Sequence, residues 1–212
     1  MQAFQQQFLD YCIKRQVLRF GEFTLKSGRV SPYFFNAGLF NTGADLAALG
    51  RFYAQAIQFS CVDFDLIFGP AYKGIPLAAL AAASLYQQFE IDKPYAFDRK
   101  EKKDHGEGGQ IVGADIAGDV LIIDDVITAG TAIRQSMQLI ESLGGKVKAV
   151  TIALDRQERG QGELSAIEEL GQQGIQVIPI IRLADIMDYL QQSGDAATLS
   201  DIEQYRKQYG TS

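Results

Sequence analysis

The chain has 212 residues, 47% hydrophobic and 22% charged, enough to bury a sizeable core in one large domain or in a domain with an appendage. Its formal charge of −6 argues against nucleic acid as the main partner, because non-specific affinity for a phosphate backbone needs surplus Lys and Arg. Two cysteines and one histidine exclude a zinc-type cluster, and Cys12 and Cys61, both in apolar helical contexts, read as buried free thiols of a reducing compartment.

No basic leader precedes an apolar stretch at the N-terminus. The longest apolar run, residues 75–86, is shorter than the roughly 20 residues that a bilayer span requires. A soluble, cytoplasmic protein is expected.

In chain order, Phe4, Phe8, Cys12 or Ile13, and Val17 recur at helical spacing, which predicts an amphipathic opening helix over 3–18. Residues 20–25 read as a strand, Lys26-Ser27-Gly28-Arg29 as a turn and residues 30–36 as a returning strand, giving a hairpin with Lys26 at its bend. Phe34 and Phe35 must face opposite ways on that strand, so only one ring can meet a given ligand, while the other can offer backbone polar groups. A core hairpin with a solvated lysine is the plainer reading of the same residues.

Residues 42–60 read as a helix with Asp45 in its first turn. A short buried strand, 66–69, ends in Pro70-Ala71-Tyr72-Lys73-Gly74 before an apolar helix that begins near Ile75. Lys73 stands at the strand's carboxyl end, as a phosphate partner or as an ordinary loop lysine. A strand at 95–98 leads into Arg99, Lys100, Glu101, Lys102, Lys103, Asp104 and His105, followed by Gly106, Gly108 and Gly109. A cation-rich, glycine-hinged segment has the composition of a lid, or of a solvated charged hairpin.

The central stretch is the most informative. Val120, Leu121, Ile122 and Ile123 suit a parallel strand buried on both faces, and they end in Asp124 and Asp125. Val126, Ile127, Thr128, Ala129, Gly130, Thr131 and Ala132 then form a small-residue turn into a helix with Ile133, Met137 and Ile140 on one face. Carboxylates accept bonds from two vicinal ribose hydroxyls, while the turn and the helix start offer N–H groups to a phosphate. The alternative is an acidic pair that merely caps the next helix. A further strand at 148–154 ends in Asp155-Arg156, and a helix at 165–172, a strand at 175–181 and helices at 184–190 and 198–209 close the chain. Strands alternating with helices predict α/β with a mostly parallel sheet, whose ligand site lies beyond the strands' carboxyl ends.

The hydrophobic strand, acidic pair and Thr/Gly-rich loop resemble the phosphoribosyl-diphosphate (PRPP) motif of type I phosphoribosyltransferases. The hairpin Phe23-Thr24-Leu25-Lys26-Ser27-Gly28 with Ser31-Pro32-Tyr33-Phe34-Phe35, and the lid from Arg99 to Gly106, resemble the orotate phosphoribosyltransferases in particular. The resemblance runs from the opening helix to the final one. It implies one domain over 1–212, with a type I phosphoribosyltransferase-like sheet flanked by helices, a small N-terminal cap (hood) mainly in 1–40 and a flexible lid loop at about 99–110.

It also implies transfer of the phosphoribosyl group of PRPP to orotate, giving orotidine 5′-monophosphate and diphosphate in pyrimidine biosynthesis. Lys26, Phe34, Phe35, Thr128 and Arg156 match the orotate side. Lys26, Tyr72, Lys73, Arg99, Lys100, Lys103, His105 and the run from Asp124 through Val126, Ile127, Ala129, Gly130 and Thr131 to Ala132 match the PRPP side. Lys103, His105, Lys26 and Asp125 are the expected catalytic residues. Mg²⁺ is expected to be held mainly by PRPP, with Asp124 and Asp125 touching it indirectly, since this ion prefers phosphate oxygens and water to a full protein cage. A homodimer with the lid shared between subunits is implied by the resemblance alone. A purine or uracil phosphoribosyltransferase would have less use for Lys26 paired with Arg156. A PRPP-sensing regulator predicts a DNA-binding segment or a basic face.

Overall fold

Six strands form the main sheet of the computed structural model, which describes residues 1–25, 28–103, 109–127, 130–160 and 164–211, with the backbone alone at 101–103 and 109. The opening helix α1 (Ala3–Lys14) leads to the hairpin β1 (Leu18–Thr24) and β2 (Val30–Phe35), and then to α2 (Gly43–Ser60). There follow β3 (Leu66–Gly69), α3 (Gly74–Phe89), β4 (Tyr95–Lys103), β5 (Gly109–Gly113), β6 (Asp119–Val126), α4 (Thr131–Ser142) and β7 (Lys146–Asp155). The described chain closes with α5 (Ala166–Gln172), β8 (Gln176–Arg182), α6 (Leu183–Ser193) and α7 (Ala196–Tyr209).

The strand order is β5-β4-β3-β6-β7-β8, parallel except where β5 returns antiparallel along β4. From the centre the chain winds outward in two directions, through β3 to β4 and through β6 to β7 and β8. The two windings part between β3 and β6, and ligands of open α/β sheets settle at such a reversal.

Period-two alternation along β6 explains why helices cover both faces. Leu121 and Ile123 pack with α1, α2, α3, α6 and α7. Val120 and Ile122 pack with α4 and α5 on the opposite side. All four are fully buried, each contributing about 1.5–3 kcal/mol against an exposed side chain.

Helix α2 begins with a reciprocal cap. Thr42 Oγ1 accepts from the Asp45 amide at 3.2 Å, and Asp45 Oδ2 accepts from the Thr42 amide at 3.1 Å. The same carboxylate accepts from Tyr11 Oη and Arg15 Nη2, both at 2.8 Å, and so fastens α1 to α2. Burial alone would raise its pKa, but the bonds from Thr42, Arg15 and Tyr11 hold it well below the usual carboxylate range.

Four expectations change. The opening helix ends at Lys14 instead of reaching residue 18, because Gln16 turns into the left-handed region (φ 58°) and the chain enters β1 at Leu18. Strand β6 runs on through Asp124, Asp125 and Val126 instead of stopping at Ile123, because Asp124 pairs with Ile152 and Val126 with Leu154 of β7. Strand β4 likewise continues through Arg99 to Lys103, so the start of the expected lid is sheet. Only Cys12 is buried; Cys61 ends α2 in the left-handed region (φ 54°) with its side chain exposed, where the turn leaves the core. Among the described residues, no helix is long and apolar enough to cross a membrane.

Candidate active site

The carboxyl ends of β3, β6 and β7 lie on one side of the sheet, with β6 and β7 running about three residues past the end of β3. Phe68 pairs with Ile122 and Gly69 with Phe97, while Val126 pairs with Leu154, so the segments after β3 and β7 and the tip of β6 emerge along one edge. Beyond β3, residues 70–73 fold back over the sheet. A Cβ on Gly69 would stand 2.2 Å from the Gly74 carbonyl oxygen, and one on Gly74 would stand 2.9 Å from that of Ile123. Any side chain at either position would push this loop off the strands, which is why glycine flanks it. The Ala71–Tyr72 peptide bond is cis, and the Ala71 amide donates to Asp98 Oδ1 at 2.6 Å, tying the loop to β4.

Lys73 ends the loop and forms an ion pair with Asp125 across the β3/β6 reversal. The Lys73 side chain is 65% exposed and that of Asp125 only 10%, so the ammonium can turn to an incoming anion while the carboxylate stays fixed. Tyr72 is exposed, and Lys100 from β4 sets its ammonium 4.8 Å from the ring centroid. Arg99 precedes it, half-buried.

Asp124 is held differently. Its carboxylate accepts the Asp125 amide at 2.9 Å, while its backbone carbonyl accepts Tyr53 Oη from α2 at 2.8 Å. Burial pushes the Asp124 carboxyl up to about 6, and the neighbouring Asp125 charge adds to the effect. Ile127 is buried, and Gly130 (φ 69°) starts α4 with no side-chain cap. The exposed first turn at Thr131 and Ala132 therefore presents uncapped amides beside the acidic pair. Thr128 and Ala129 lie outside the described residues, as do Lys26, His105 and the side chain of Lys103.

Past β7, the Arg156 guanidinium bonds Glu158, with Nε and Nη2 at 2.8 and 2.6 Å from Oε1, and lies 4.8 Å from the Tyr33 ring centroid. The hairpin β1–β2 thus packs against the segment that follows β7. Phe35 turns into the core on the same face as Tyr33. Phe34 points the other way and stacks on Phe23, with ring centroids 5.6 Å apart and Arg19 over both rings. Tyr33, rather than either phenylalanine, therefore lies under Arg156.

Tyr33, Glu158 and Tyr205 are site neighbours that the sequence reading missed; the spacing of Glu158 two residues after Arg156 is the one local signal for them. Asp98 was also missed as a tie for the 70–73 loop. A concavity of about 750 Å³ opens beside α7, lined by Arg159, Arg206 and Lys207 among others, and holds none of the expected site residues.

This arrangement can bind a sugar phosphate. Carboxylates at the tip of β6 suit vicinal hydroxyls, the α4 amides suit a phosphate, and Lys73, Lys100 and Arg99 suit a second anionic group. Residues 41–176 match the phosphoribosyl transferase domain family. The chain is 59% identical over 212 residues to the orotate phosphoribosyltransferase of Shewanella oneidensis, covering 99% of each. It is also 59% identical to that of Cronobacter sakazakii, over 99% of this chain and all of the relative. The crystal structure of the orotate phosphoribosyltransferase of Francisella tularensis superposes with a TM-score of 0.90 at 47% identity, over 97% of this chain and 100% of that one.

Proposed function

The chain belongs to the phosphoribosyltransferase family, and to its orotate phosphoribosyltransferases, and from that premise we propose how its residues divide the transfer of phosphoribose from PRPP to orotate. Displacing diphosphate from ribose C1′ builds positive charge on the ring and negative charge on the leaving group. The protein must hold the base nitrogen in line, stabilise the departing charge and keep water away.

Asp124 and Asp125 hold the ribose hydroxyls, and the residues from Val126 to Ala132 hold the 5-phosphate. Tyr72, Lys73, Arg99 and Lys100 take the diphosphate, joined by Lys26, Lys103 and His105, with the segment around Lys103 and His105 closing over the site. Arg156 reads the orotate carboxylate with its planar fork, and Phe34, Phe35 and Thr128 border the base. The observation that carries this reading is the Lys73–Asp125 ion pair, which joins the anion loop of β3 to the acidic tip of β6 at the sheet's reversal.

Among the described residues, no three His, Cys, Asp or Glu side chains gather to hold a metal. The donor set at the tip of β6 is two carboxylates, one of them already paired with Lys73. That set fits Mg²⁺ carried on phosphate oxygens and water, with Asp124 and Asp125 as outer contacts. When bound, the ion supplies positive charge to the leaving diphosphate. A homodimer in the cytoplasm, with the 99–110 segment reaching the neighbouring subunit, completes the proposal.

The test is the ultraviolet absorbance of orotate mixed with protein, PRPP and Mg²⁺, with adenine, hypoxanthine and uracil as parallel bases. Orotate is expected to disappear only when PRPP and metal are both present. Consumption of another base in its place would overturn the assignment of Arg156 to a carboxylate. For the closing segment, Lys103→Ala is expected to reduce turnover far more than it lowers the melting temperature, and full activity would remove Lys103 from the machinery.

A further inference from the structure

Glu158 is a convergence point that the reaction as described leaves unused. Its carboxylate accepts from Arg156, from Tyr205 Oη of α7 at 2.9 Å and from Tyr33 Oη of β2 at 3.5 Å, and Arg29 Nη1 lies 3.5 Å away. Tyr33 is fully buried and Tyr205 nearly so, and their rings meet edge to face at 6.2 Å. The backbone reinforces the junction. Glu158 bridges Gly210, the Arg159 amide donates to the Tyr209 carbonyl at 2.8 Å, and the Thr211 amide donates to the Gln157 carbonyl at 3.0 Å. Gln157 adopts a left-handed turn (φ 51°), its amide held by Asp155 Oδ1 at 2.8 Å. Three separate parts of the chain, namely the hairpin, the 155–159 turn and α7, therefore meet at one carboxylate.

We propose that Glu158 is a positioning residue for base recognition: it fixes the Nε/Nη2 side of Arg156 so that the Nη1 edge faces the carboxylate-bearing base, and Tyr205 holds Glu158 in that role. The inference rests on the assignment of Arg156 to orotate. A guanidinium has several rotamers, and each that is not productive reduces affinity. A second carboxylate bonded to one edge, with the ring of Tyr33 beneath the plane, leaves a single orientation. Of the clasp's members only Arg156 is assigned to a substrate, the base, so its effect is expected on orotate rather than on PRPP. Tyr205 makes α7 a contributor to specificity without touching substrate.

The experiment is steady-state kinetics on the full-length Glu158→Gln, Tyr205→Phe and Arg156→Ala proteins, varying each substrate in turn, with melting temperatures measured alongside. Glu158→Gln keeps the shape and loses the charge, so the KM for orotate is expected to rise about tenfold while the KM for PRPP stays within twofold. Tyr205→Phe keeps the ring and loses one bond to Glu158, so the orotate KM is expected to rise about threefold, again without a change for PRPP. A clasp that serves only folding would lower the melting temperature and move both KM values together or neither, and either pattern overturns the proposal. If Glu158→Gln does not fold, an unchanged orotate KM in Tyr205→Phe overturns it just as well. Arg156→Ala separates the layers. If it leaves the orotate KM unchanged, the assignment of Arg156 fails and this inference with it. If it raises the orotate KM while Glu158→Gln does not, only the role of Glu158 fails.

Discussion

Asp45 and Asp124 are both carboxylates taken largely out of water beside α2, and the protein treats them in opposite ways. Asp45 receives bonds from Thr42, Tyr11 and Arg15, and its pKa is driven down. Asp124 receives the neighbouring Asp125 amide, and its pKa rises to about 6. The first carboxylate finds its donors within the fold, so its burial is compensated at every moment. Among the described residues the second carboxylate accepts the Asp125 amide alone, and on the proposed function ribose hydroxyls would supply the further donors. Under-bonding of a buried acid is therefore a mark of a ligand site, and full bonding is a mark of architecture.

The largest expected effect tests the under-bonded acid. Asp124→Asn should lower kcat/KM by on the order of 10²–10³, the loss of about two charge-assisted hydrogen bonds. The same change should stabilise the free protein. The folded pKa of about 6 exceeds the unfolded value of about 3.9, so the folded state binds the proton more tightly. The group's contribution is fully present below pH 4 and is lost as pH rises through 6, which leaves a cost on the order of 1–3 kcal/mol at pH 7 that the amide removes. Denaturant unfolding at pH 7 and at pH 4.5 measures it, and a variant as stable as the parent at both would dissolve the contrast.

Asp45→Ala should do the reverse. Unfolding free energy should fall by about 2–4 kcal/mol, since buried donors lose their acceptor, with kcat/KM per folded molecule within twofold of the parent. Because the folded pKa of Asp45 is depressed, its stabilisation is present above about pH 4 and is lost as pH falls through the lower folded value. Asp45→Asn should accordingly flatten the acid limb of the stability curve.

A smaller effect should appear in binding. PRPP affinity, followed by calorimetry, should improve about tenfold between pH 5 and pH 7 as Asp124 ionises, beyond what the ligand's own phosphates contribute. Asp124→Asn should keep only the ligand's part of that change. The smallest effect belongs to a solvent-exposed ion pair, tested from its acidic side. Arg134 and Glu169 meet at 3.3 Å on the surface between α4 and α5, both side chains more than 40% exposed. Glu169→Gln should change stability by less than about 0.5 kcal/mol and leave activity alone.

Much of this was readable in the chain, and the misses share a cause. Strand identity followed from β-branched runs, and β3 falls on 66–69 as expected. Strand ends did not, because charge is a poor stop signal where a neighbouring strand supplies the ladder. Asp124 to Val126 continue β6 against β7, and Arg99 to Lys103 continue β4. Asp45 was visible as a first-turn acid, but its burial depends on Tyr11 and Arg15, which only the packing of α1 brings near. Glu158 stands two residues from Arg156 and was open to a local reading, but Tyr33 of β2 and Tyr205 of α7, which complete the cluster, are far away in sequence and no local pattern announces them. Cys61 looked apolar by its neighbours, yet the turn that ends α2 carries it to the surface.

The reversal between β3 and β6 also predicts an order of assembly. Strands β6 and β7, and then β7 and β8, pair across single helical crossovers, whereas joining β3 to β6 must enclose α3, β4 and β5. Closing the longer loop costs more chain entropy, so the β6–β7–β8 half can assemble before β3 docks. In that order Lys73 would arrive with the later piece and meet Asp125 on the earlier one. After dilution from denaturant, competence to bind PRPP should trail the return of helical signal, because the site comes into being at the seam that closes last.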